Sequence, residues 1–110
     1  MKKESKRIQV EEGSGNVFRD LGFRNAEREQ LKADLTLQIY RLIKQRGLTQ
    51  TQAGEILGIK QPHVSALMRG RSGAFSVERL MQFLTGLGQD VEITVRSTRK
   101  RHGALSVSVR

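Results

Sequence analysis

The chain contains no cysteine. That excludes disulfides and every cysteine-ligated zinc site, zinc fingers included, and it fits a reducing compartment. Long apolar runs are missing as well. The opening "MKKESKRIQVEEGSG" is basic, but no apolar stretch follows it. Neither a signal peptide nor a membrane span is expected there, and a cytoplasmic protein is the default. Acids become scarce after the middle of the chain. From Ile56 onward nine Lys and Arg stand against Glu78, Asp90 and Glu92 alone. Over the whole chain 20 Lys and Arg against 11 Asp and Glu leave a net charge of +9. That balance favours an anionic partner: nucleic acid first, an acidic protein or a membrane surface less often. Proline occurs once, at Pro62.

What is present fits one small domain. A chain of 110 residues can bury a modest core with little stability to spare. Residues 1–15 mix charges, Ser and Gly with only Ile8 and Val10 as anchors, and are expected to form a flexible arm. Residues 16–89 carry the helical patterns. In "GNVFRDLGF", Asn16 is placed to cap a short helical turn whose Val17, Phe18, Leu21 and Phe23 could pack on the domain. From Asn25 to Arg46, Leu31, Leu35, Ile39, Leu42 and Ile43 recur at spacings of three and four and draw one apolar stripe. Asn25 is placed to cap that helix, Glu27 and Glu29 suit its dipole, and Gly47 stops it.

A second helix opens with "TQTQ", the Thr-x-x-Gln form of a capping box between Thr49 and Gln52. It must end near Leu57, because Gly58 supplies the positive φ of a tight turn. Pro62 then marks a new beginning. In a first helical turn the missing N–H has no intrahelical partner to lose, so a third helix is expected from Lys60 or Gln61 to about Arg69, stopped by Gly70. Ser76 caps a fourth, with Phe75 and Leu80 placed as a hydrophobic staple and Leu80, Phe83, Leu84 and Leu87 as its buried face. In residues 90–110 the period changes. Val91, Ile93 and Val95 alternate with Glu92, Thr94 and Arg96, and Leu105, Val107 and Val109 alternate again, with basic "RSTRKRHG" between. This is strand periodicity. Two readings stay open: a hairpin, or one strand that pairs with a partner chain and serves as a dimerisation element. The fourth helix is the alternative dimer contact.

Two short helices joined by a turn of about three or four residues with a glycine describe a helix-turn-helix. The steep crossing needs small residues on the first helix, where Ala53 and Gly54 stand. The shared core needs apolar groups, met by Ile56, Leu57, Ile59, Val64 and Leu67. Left over on the outer face of the second helix are Lys60, Gln61, Pro62, His63, Ser65, Ala66 and Arg69.

The stretch "LTQTQAGEILGIKQPHVSALMRG", residues 48–70, resembles the helix-turn-helix of the lambda-repressor-like, or XRE, family along its full length. With the flanking "GNVFRDLG" and "FSVERLMQFLTGLGQDVEITVR", the resemblance covers roughly residues 14–97 and is closest in kind to small HigA-like antitoxins and regulators, often encoded beside a RelE-like toxin. It implies a mainly α bundle of four to five helices followed by a strand or hairpin, and sequence-specific binding of double-stranded DNA as a repressor or autoregulating antitoxin. The helix at 60–69 would lie in the major groove, its N-terminal residues facing base edges. Lys60, Gln61, Pro62, His63 and Ala66 would then contact bases: Gln61 an adenine through N6 and N7, Lys60 and His63 a guanine or phosphate, Pro62 and Ala66 a thymine methyl. Gln50 matches the family's glutamine at the start of the first motif helix, and would bind phosphate and brace Gln61. Thr49, Thr51, Ser65, Arg69, Arg71 and Ser72 complete the expected phosphate contacts. A homodimer on a palindromic operator is the usual solution for so small a module.

Other classes fare worse. His63 and Ser65 are close in sequence, but positions i and i+2 on a helix do not face each other. No phosphate-cradling glycine motif appears, and His63 and His102 cannot make a metal site alone. An enzyme is not expected, nor any cofactor. The serious rival is an antitoxin that acts mainly by binding and neutralising a RelE- or HigB-like toxin, with the N-terminal 24 residues and the basic C-terminal strand free for that partner.

Overall fold

The computed structural model describes residues 25–110. The expected N-terminal arm and the helical turn at residues 16–23 lie outside these residues. Four helices follow in order: α1 (Asn25–Gln45), α2 (Gln50–Leu57), α3 (Gln61–Met68) and α4 (Val77–Gly86). None of them is long and apolar enough to cross a membrane.

The apolar stripe of α1 forms one wall of the core. Leu35, Ile39 and Ile43 are buried, and Leu31 and Leu42 pack against them from the margin. The opposite wall is α4, which contributes Val77, Leu80, Phe83 and Leu84, with Leu87 just beyond its end. These two helices pack most extensively on each other, while α2 packs chiefly on α3. Ala53 and Leu57 of α2 and Val64 and Leu67 of α3 reach into the same core. Arg46 Nη1 donates to the Leu87 carbonyl at 3.2 Å and ties the end of α1 to the end of α4. Two polar side chains of α1 are also buried: Lys32, and Thr36, whose Oγ1 has no hydrogen-bond partner.

Local signals set the boundaries. Thr49 Oγ1 accepts from the Gln52 amide at 3.0 Å, and Gln52 Oε1 accepts from the Thr49 amide at 2.9 Å, so the capping box is complete. Ser76 caps α4 by accepting from the Arg79 amide at 3.1 Å. Gly58 ends α2 at φ +73, a left-handed conformation that costs glycine nothing. α1 is described from Asn25 onward.

Two expectations are corrected. Ile56 is not core: it is 38% exposed. The inward stripe of α2 runs through Ala53 and Leu57, and the residue before Leu57 is rotated by about 100° away from that stripe. Nor do residues 90–110 form a strand or hairpin in the single chain; among the described residues no strand is present. No backbone–backbone hydrogen bond joins residues 90–110, and Ile93 and Val95 are 76% and 91% exposed. The alternation is real, but a strand exists only when its backbone groups meet a partner. Of this segment, Val107 is half-buried and packs on the core.

Candidate nucleic-acid interface

The closeness of α2 and α3 comes from Gly54. Its carbonyl accepts from both the Gly58 amide at 2.8 Å and the Ile59 amide at 3.0 Å, which draws the turn back over α2. A Cβ at this position would stand 2.7 Å from the Ile59 carbonyl oxygen and 3.5 Å from Val64 Cγ2. Only glycine allows the turn and the start of α3 to pass so near. Ala53 beside it is wholly buried. The small pair expected at the crossing is where the crossing occurs.

The turn delivers α3 with its apolar side buried, through Val64 and Leu67, and its N-terminus in solvent. Lys60 is the N-cap residue but makes no side-chain capping bond, and Pro62 sits in the first turn. Lys60, Gln61, Pro62 and His63 are all exposed, and Ser65 and Ala66 are half-buried along the same helix. Gln61 Nε2 donates to Gln50 Oε1 at 3.2 Å. This bond joins the first residues of the two motif helices and holds an exposed amide at a fixed place. It is the bracing that the resemblance implied.

The cations near α3 are positioned too. Arg69 Nη1 donates to Ser65 Oγ at 2.6 Å and so lies back along α3. Arg71 is exposed in the following loop, where its own amide donates to the Ala66 carbonyl at 2.8 Å. Thr49, Gln50 and Thr51 gather at the start of α2, Gln50 half-buried and the two threonines exposed. Eleven of the twelve expected residues are exposed or half-buried. Ser72 is the exception. It is only 8% exposed, and its carbonyl accepts from the Phe75 amide at 3.0 Å.

A support behind His63 was not legible in the sequence. The imidazole meets the edge of Phe75 at a centroid distance of 6.0 Å, Phe75 meets Phe83 edge-on at 5.0 Å, and the Arg79 guanidinium lies 5.1 Å from the centre of the Phe83 ring. Edge-to-face pairs of this kind fix ring orientation as well as burying area. Phe75 looked like a staple for α4, and only the folded loop shows that it also backs α3. Among the described residues no group of three His, Cys, Asp or Glu side chains is placed to hold a metal ion.

Comparison with known proteins agrees with this geometry. Residues 17–96 match the family model described as a helix-turn-helix domain. A solved structure assigned to the XRE family of transcriptional regulators is similar at 42% sequence identity and a TM-score of 0.70, over 78% of this chain and 97% of that one. No curated protein matches the chain. With the motif's turn, its buried pair of helices and its exposed polar helix start all in place, the chain belongs to the XRE-like helix-turn-helix family of DNA-binding transcriptional regulators.

Proposed function

We propose that the protein is a sequence-specific regulator that inserts α3 into the major groove of double-stranded DNA and acts as a repressor or autoregulating antitoxin. The observation that carries this reading is the Gln50–Gln61 bond at 3.2 Å. An amide free to rotate reads a base edge poorly, whereas one held by a neighbour on a capped helix is preorganised for adenine N6 and N7. Lys60, Pro62, His63 and Ala66 lie beside it for further base contacts. Thr49, Gln50, Thr51, Ser65, Arg69 and Arg71 surround them for phosphate, and phosphate contacts set register while base contacts carry sequence information. The net charge of +9 favours the anionic duplex as principal partner.

One module of this size reads few base pairs, so the protein works as a homodimer on palindromic half-sites about one helical turn apart. Selection from random duplexes tests the whole reading. The expected result is an enriched, two-fold symmetric motif. Recovery of no motif, with affinity that depends on charge alone, would leave the helix-turn-helix as a scaffold and favour toxin neutralisation.

A further inference from the structure

Backbone–backbone hydrogen bonds run to Gln89, and among the described residues none follows it. The amides of Gly88 and Gln89 donate to the carbonyls of Thr85 and Leu84, both at 3.0 Å, so the start of the next segment is anchored to α4. From Asp90 to Arg96 nothing pairs with the backbone, and the apolar residues face water. A segment with this pattern is complete only against another strand.

The sequence of that segment, "DVEITVR", is its own complement. Place two copies antiparallel about a two-fold axis through Ile93. Ile93 then faces Ile93 of the copy, and Val91 faces Val95, so the apolar residues share one face of the ribbon. On the other face Asp90 stands opposite Arg96, with Glu92 at the diagonal position beside it. Every apolar side chain meets an apolar one, and both acids approach the one base. A contact between identical patches requires this kind of self-complementarity. The other alternating run in the chain, Leu105 to Val109, has no acid to offer Arg96.

We propose that residues 90–96 form an antiparallel two-stranded ribbon with a second copy of this chain, in the register that opposes Ile93 to itself and Asp90 to Arg96. The proposal deepens the dimeric reading above and rests on it. The anchored base of each strand supplies support that a free ribbon of this length lacks. By symmetry, reversing one charge converts two attractive pairs into two repulsive ones.

The experiment is sedimentation equilibrium of the full chain without DNA. Arg96→Glu and Asp90→Arg should each raise the dimer dissociation constant about tenfold, and the double variant should return to within about threefold of the original. The thermal unfolding midpoint of a dilute sample checks that each variant still folds. Ile93→Cys gives a second readout, because the chain has no other cysteine. Mild oxidation should cross-link it faster than Thr94→Cys. A monomeric original chain at high concentration, a double variant as weak as the singles, or a faster Thr94→Cys cross-link would each overturn the proposal. Loss of DNA binding with the charge swap intact would instead overturn the DNA reading and leave the ribbon standing.

Discussion

Replacing Gly54 with alanine adds one methyl group at the tightest point of the motif. That methyl would stand 2.7 Å from the Ile59 carbonyl oxygen, with Val64 Cγ2 at 3.5 Å behind it. A contact that short cannot persist, so something must move by about half an ångström. The obstacle is backbone, and the turn that carries it is held by two hydrogen bonds to the Gly54 carbonyl. Relief therefore stretches those bonds or tilts the start of α3. Against backbone held in place, overpacking lies at the upper end of its usual range, about 2–3 kcal/mol. Alanine recovers about 1 kcal/mol through its better helix propensity. The net effect should be a destabilisation of about 1–2 kcal/mol, or roughly 5–15 °C in Tm for a domain of this size. Gly86→Ala in α4 is the control, because its added methyl would meet only the Ile56 carbonyl oxygen, at an ordinary 3.8 Å. That substitution should stabilise by a few tenths to about 1 kcal/mol. Thermal and urea unfolding of both variants measure the difference. If Gly54→Ala is as stable as the unchanged chain, the turn is not limited by backbone contact at Gly54, and the account of how α3 is positioned is wrong.

Other consequences can be checked with the same protein. Thr36→Val should stabilise by about 1 kcal/mol in urea unfolding, since it removes a buried hydroxyl without a partner and keeps the shape of the side chain. Thr49→Ala should cost about 1 kcal/mol by breaking the capping box. Arg71→Ala should weaken binding to all duplexes alike and lower the slope of log affinity against log salt by about one. Gln50→Ala should loosen sequence preference at the base read by Gln61, as seen by repeated selection, because the amide loses its brace.

The helices were legible because their limits are written in local chemistry. Thr49, Gln52, Gly58, Pro62 and Ser76 each make a capping or turn contribution that depends on neighbours within four residues. Gly54 was legible as a small residue at a crossing, though not the carbonyl that makes it obligatory. What lay beyond the sequence is non-local. Phe75 supports His63 only because the loop after α3 folds back. Ser72 is buried by the same loop, whereas its composition, "RGRSG", reads as exposed. Ile56 has the chemistry of a core residue and the wrong angle on a helix of only 8 residues. The alternation at 91–95 predicted a strand correctly as a pattern but not as a structure, since pairing depends on what stands alongside.

The most direct test of the central claim is the position-by-position affinity of Gln61→Ala. Binding to a selected operator and to its full set of single base-pair variants would be measured at fixed salt for the original and substituted chains. The expected result is a loss of about 1–3 kcal/mol on the operator, with discrimination relaxed at one base pair of each half-site and retained elsewhere. An unchanged affinity and an unchanged preference at every position would contradict it.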